Sequence, residues 1–134
     1  MIPRQKIMHH KRYRIALVGF VLILISTLLS CSREEVVFID SFLGVWKTSA
    51  PKYKDRFLKI TESTIAFGIG GENANEFFVD RVIKKIEAGI TVYTILYSDV
   101  DGSEFKLAFY YTPKNKGVIR FKNQQEIEWT RIGQ

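Results

Sequence analysis

Between residues 45 and 132 the chain repeats one unit: a short run in which alternate side chains match, then a turn. From Ile65 to Ile69, Ile65, Phe67 and Ile69 alternate with Ala66 and Gly68, after Thr64, the period-2 pattern of a strand with one buried face. Ile90 to Ser98 (ITVYTILYS) is β-branched and aromatic throughout. In Phe105 to Thr112 the residues Phe105, Leu107, Phe109 and Tyr111 share a face. Val45 to Thr48 around Trp46, Phe57 to Thr61, Glu76 to Ala88, Val118 to Lys122 and Ile127 to Ile132 complete a set of eight strands. Turn residues separate them: Glu62-Ser63, a loop from Gly68 to Asn75, Gly89, the Asp-Gly of DVDGS (99–103), PKNKG (113–117) and residues 123–125.

Strands joined by short sequential connections predict an all-β chain, an up-and-down antiparallel meander. A meander best removes its unpaired edges by closing into a barrel. One segment has two readings. In Glu76 to Ile86, Phe78, Val82 and Ile86 recur every four residues, which a helix would satisfy as well as a long, bent strand.

Residues 1–31 are of a different kind. Arg4, Lys6, Lys11, Arg12 and Arg14 form a basic start without an acid. Ile15 to Leu29 is apolar apart from Gly19, Ser26 and Thr27, and Leu28-Leu29-Ser30-Cys31 follows. This is the order of a secretory signal, a helix-forming apolar core included. About 15 apolar residues fall short of the ~20 that cross a bilayer. An ordinary signal would leave Cys31 a chance residue, and a buried core helix would carry polar residues at helical spacing, which Ile15 to Ile25 lacks.

Leu28, Ser30 and Cys31 resemble the lipobox of bacterial lipoproteins; Leu29 departs from it, a small or β-branched residue being commoner there. The resemblance implies cleavage after residue 30, a diacylglyceryl thioether on Cys31, and an N-acyl chain such as palmitate on the new terminus. Two or three acyl chains anchor stably where one would not, at about 0.8 kcal/mol per buried methylene. Ser32, standing where Asp would signal retention in enterobacterial-type lipoproteins, implies the periplasmic face of the outer membrane rather than the inner membrane. The expected organisation is a signal over 1–30, the lipidated Cys31 with a tether over 31–41, and a β-domain over 42–132. The tether either holds the domain close to the bilayer, reaching at most ~35 Å, or packs Val36, Val37, Phe38 and Ile39 against it.

The net charge of +6 invites a nucleic-acid reading, but its placement removes the support. Five of the 20 basic residues precede residue 31 and none of the 14 acids does, so the exported part is close to +1. A basic balance created by a removable segment says nothing about phosphate. Cys31 is the single cysteine, so the domain is stable through its core and without an internal disulfide.

Leu43-Gly44-Val45-Trp46 resembles the opening Gly-x-Trp of lipocalin-like proteins, and Arg131 in Glu128-Trp129-Thr130-Arg131 stands where that family has a last-strand Arg. The resemblance implies that Trp46 plugs one end of an eight-stranded barrel beneath Arg131, with Gly44, Trp46 and Arg131 as its signature. Two departures bear on a roomy ligand cavity: about 90 residues is far shorter than a full lipocalin, and the helix after the barrel is missing. Trp46 would also suit a plain core aromatic.

After residue 31 there is no His and no further Cys, which removes Ser-His-Asp and Cys-His nucleophiles and imidazole or thiolate metal sites. Asp99 and Asp101 look like half a calcium loop, but Tyr110 stands where an EF-hand needs Glu, and hairpin turns want the same residues. Glu126 and Glu128 flank Ile127 on one strand face, where a solvated outer surface is the ordinary reading. Gly68, Gly70 and Gly71 lack the strand-to-helix context of a phosphate loop. Lys52, Lys54 and Arg56 read as a solvated loop or a membrane-surface contact. Tyr93, Tyr97 and Tyr110, with Phe78, form a candidate second aromatic face for binding. No cofactor or metal is expected.

These features point away from an enzyme and towards a lipid-anchored, non-catalytic envelope binding module. Its partner would be an envelope protein or polymer. The alternatives are a lipocalin-like carrier of a small apolar ligand and a periplasmic enzyme inhibitor. A short barrel can be filled by its own side chains, so lumen volume separates carrier from module.

Overall fold

Strands with one apolar face each can bury all of those faces together by curving into a cylinder. The computed structural model describes residue 15 and residues 18–20, 33–71 and 73–133. The strands are β1 (Glu35–Val37), β2 (Gly44–Lys47), β3 (Arg56–Ile60), β4 (Thr64–Ile69), β5 (Asn73–Glu87), β6 (Ile90–Ser98), β7 (Glu104–Thr112), β8 (Val118–Phe121) and β9 (Trp129–Ile132). From β2 to β9 each strand pairs antiparallel with the next, and β9 pairs back onto β2. The result is the closed, eight-stranded, up-and-down barrel that the alternation predicts. Its interior is apolar: Trp46, Leu58, Ile65, Ile95, Phe109 and Ile119 are fully buried.

Glu76 to Ile86 is strand. It belongs to the 15-residue β5, whose register shifts between Val79 and Arg81. That bulge admits one extra residue, so the inward positions run Phe77, Val79, Val82. A period of two with one slip imitates a helical spacing, which is why the sequence allowed both.

The loop expected from Gly68 to Asn75 is much shorter. β4 continues to Ile69 and pairs it with Asn73, so the connection shrinks to residues 70–72. The last strand starts at Trp129 rather than Ile127. Residues 122–128 form a looped connection, with Gln124 N donating to Phe121 O (3.0 Å) and Ile127 N to Gln124 O (3.1 Å).

Of the two tether expectations, packing prevails. Glu35–Val37 forms β1 beside Val82–Lys84 of β5, where the edge is vacant because β4 pairs only as far as Phe78. The 3-10 turn Ile39–Phe42 then leads into β2. Val37 and Ile39 pack on the core, whereas Val36 and Phe38 are exposed. The compact barrel unit accordingly begins at Arg33.

Residues 15 and 18–20 are helical; the remainder of the signal segment and Cys31 lie outside the described residues. Among the described residues no helix is long and apolar enough to cross a membrane.

Candidate functional site

The barrel has two unlike ends. At one, the Ile39–Phe42 turn and the β3–β4, β5–β6 and β7–β8 connections gather around Trp46. Trp46 is fully buried, and its Nε1–H donates to Phe42 O at 2.9 Å. Arg131, opposite Trp46 in the β2–β9 register, lays its guanidinium 4.7 Å from the indole centroid. Its Nη2 donates to Ser41 O at 2.6 Å. Gly44 makes room for this arm: at its φ of +132° a side chain is strained, and a Cβ would stand 3.2 Å from Arg131 Cγ and Cδ. Gly117, which the sequence reading did not single out, closes the ring from the β7–β8 turn. A Cβ there would lie 3.0 Å from Trp46 Cη2 and from the Tyr111 ring. Gly44, Trp46 and Arg131 are thus brought together as one plug.

The proposed aromatic face is not one face. Tyr93 and Tyr97 point into the barrel: Tyr93 stacks on Phe109 (5.9 Å) and Tyr97 on Phe105 (5.6 Å). Tyr110 sits opposite Arg120 and, by the alternation that turns Phe109 and Tyr111 inward, faces outwards; Phe78 is exposed. The reason is parity. Tyr93 and Tyr97 share Ile95's side of β6, and Ile95 is core. Burial pushes the Tyr97 phenol above its ordinary pKa.

The other end is open. Cross-strand register stacks inner-face residues there in rows: Arg56, Ile69 and Asn73 at the rim, then Leu58, Phe67 and Asn75, then Ile60, Ile65 and Phe77. Ile60 and Ile65 are buried, but Asn73 and Asn75 are exposed although they share the inner face of Phe77. The lumen therefore opens to solvent over its last two rows. The opposite wall is Phe121 and Trp129, with Tyr53 and Gln124 from the connecting loops above them. Tyr53 receives a hydrogen bond on its hydroxyl from Gln124 Nε2 (3.1 Å) and has the Arg56 guanidinium 5.3 Å from its ring. The open cup has a volume of about 820 Å³, in the range of small-molecule sites.

Two features of the cup matter chemically. Trp129 is 5 % exposed, and its indole N–H has no acceptor among the described residues. A buried donor left so costs about 1–3 kcal/mol. Among the described lining residues, moreover, there is one cation, Arg56, and no carboxylate.

Sequence reasoning placed Arg56 in a solvated loop and Asn73 and Asn75 in a long one. Extending the alternation of Leu58 and Ile60 back to Arg56, and that of Phe77 back to Asn75 and Asn73, would have put all three on the inner face. Nothing in the sequence marks Trp129 as a wall of the same cup, since that depends on closure.

The remaining candidates lie elsewhere. Asp99 Oδ1 accepts from Asp101 N (3.0 Å) and Ser103 N (2.9 Å), an Asx-type turn at a hairpin. Glu128 pairs with Arg120 on the surface, and Glu126 is exposed. Among the described residues no three His, Cys, Asp or Glu converge as metal ligands would. Compared with family models, curated proteins and solved structures, the chain matches none of them.

Proposed function

We propose that this protein is a lipid-anchored envelope component whose barrel is a non-catalytic binding module, holding a small ligand in the open cup. The observation that carries this reading is the cup: about 820 Å³, aromatic-walled, at the end opposite the Trp46 plug. A plugged end and an open, partly apolar end suit retention of a ligand better than docking through the exterior. Tyr93 and Tyr97, the residues first assigned to an outer face, lie inside.

The anchor rests on Leu28, Ser30 and Cys31, and the periplasmic face of the outer membrane on Ser32. The non-catalytic assignment rests on the absence of His and of any further Cys after residue 31, and on a cup whose described lining offers no acid–base pair.

The test is native mass spectrometry of the chain extracted from its host's membranes. A small molecule should leave the parent protein on gentle activation and be missing from Asn75→Trp, which fills the cup from the exposed second row. If the parent carries nothing, or Asn75→Trp carries the same mass, the cup is not the binding site.

A further inference from the structure

The cup's polar groups are sided. Arg56 and Asn73 meet at one rim through the β3–β4–β5 register, each paired with Ile69. Asn75 lies a row below Asn73, on the same wall. Across from them the wall is rings, Phe121 and Trp129 at 5.2 Å between centroids. Donors therefore outnumber acceptors, the one formal charge among the described lining residues is positive, and a flat apolar surface lies beneath. A neutral hydrocarbon would leave the Arg56 side of the cup unused. A cation would meet the guanidinium with no carboxylate among the described lining residues to offset it.

We propose that the cup selects an organic anion with a flat, ring-sized apolar body, its carboxylate-type head at Arg56 and its body between Phe67 and the Phe121–Trp129 wall. This rests on the cup being the binding site. The head accepts charge-assisted hydrogen bonds from Arg56 and an amide hydrogen of Asn73. Arg56 is exposed and makes its described ring contact through Tyr53, so the guanidinium reaches the head without disturbing the core.

The experiment is calorimetric titration of the full chain in maltoside micelles with 2-naphthoate and, as its uncharged counterpart, 2-naphthamide, each corrected against protein-free micelles. Naphthoate should bind one per chain and about tenfold tighter than the amide, the order expected for a charge-assisted hydrogen bond over a neutral one. Arg56→Gln should bring naphthoate down to the level of the amide and leave the amide unchanged; Trp129→Phe should weaken both. Equal binding of acid and amide by the parent would overturn anion selectivity and leave the cup as a site. Selectivity that survives Arg56→Gln would place the anion elsewhere and overturn the assignment. Binding of neither probe would overturn this inference, whereas the cup reading stands or falls on the mass retained by the parent and by Asn75→Trp.

Discussion

The Trp46–Arg131 contact joins the first and last strands of the barrel, so its strength measures closure. Trp46→Ala removes a fully buried indole and should cost about 3–5 kcal/mol. Arg131→Ala loses the 4.7 Å ring contact and the hydrogen bond to Ser41 O, and should cost about 1–2 kcal/mol. Because the residues share that contact, the double mutant should lose less than the sum. Denaturant melts of the cycle check this, and additive losses would mean that the two act independently. Tyr97 supplies a pH test at the same scale. Burial raises its pKa above the ordinary 10.0, so the folded state keeps the phenolic proton where the unfolded chain has lost it. Its contribution is intact below about pH 10 and is lost as pH rises beyond that. Denaturation midpoints should fall less steeply at alkaline pH in Tyr97→Phe than in the parent; parallel curves would show that the phenol is not shielded when folded.

Among the elements, β5 shows how one strand serves three partners. Its first part pairs with β4, its second with β1, and its other edge with β6, while the bulge after Val79 turns it between the two halves. The hairpin to β6 turns through Ala88 and Gly89, both left-handed (φ +49° and +80°), as a type I′ turn requires. Alanine is poorly suited to that conformation, and Asn tolerates it. Ala88→Asn should therefore stabilise the protein by about 0.5–1 kcal/mol, read as a higher midpoint in denaturant. A destabilised variant would mean that Ala88 makes a contact the turn geometry does not explain. At one side of β5's second half, a surface ion pair links the strand to the β8–β9 connection. Glu87 accepts from Lys122, which lowers the carboxyl's pKa and raises the amine's. Both groups are solvent-exposed, so the pair orders the surface more than it stabilises the fold.

For the whole molecule, the proposed lipidation site at Cys31 stands only a few residues before the barrel's first strand. β1 starts at Glu35, four residues after Cys31, so the tether's free reach is at most ~14 Å rather than the ~35 Å of an unpaired segment. β1 runs antiparallel to β5, with Glu35 opposite Lys84, so its start lies toward the β5–β6 turn at the plugged end. Cys31→Ala should release the protein from the membrane fraction or leave it unprocessed. A mutant that still cofractionates with membranes at its normal processed size would show that the lipobox reading is wrong.

Sequence alone determined the order of the eight barrel strands, most of the turns between them and the up-and-down connectivity, because side-chain alternation and turn chemistry are local properties of a few consecutive residues. It also carried Trp46, Arg131 and Gly44 as a set, through their resemblance to a known opening and closing pair. Register and the way the expected barrel closes are decided across strands, and only the tertiary structure supplied them. They turned Tyr93 and Tyr97 inward, made the tether a ninth strand, and drew Arg56, Asn73 and Asn75 from apparent loops onto the inner face. The cup depends on the same closure: its two walls, β3–β5 and β8–β9, are far apart in sequence, and they face one another because the last strand pairs with the first.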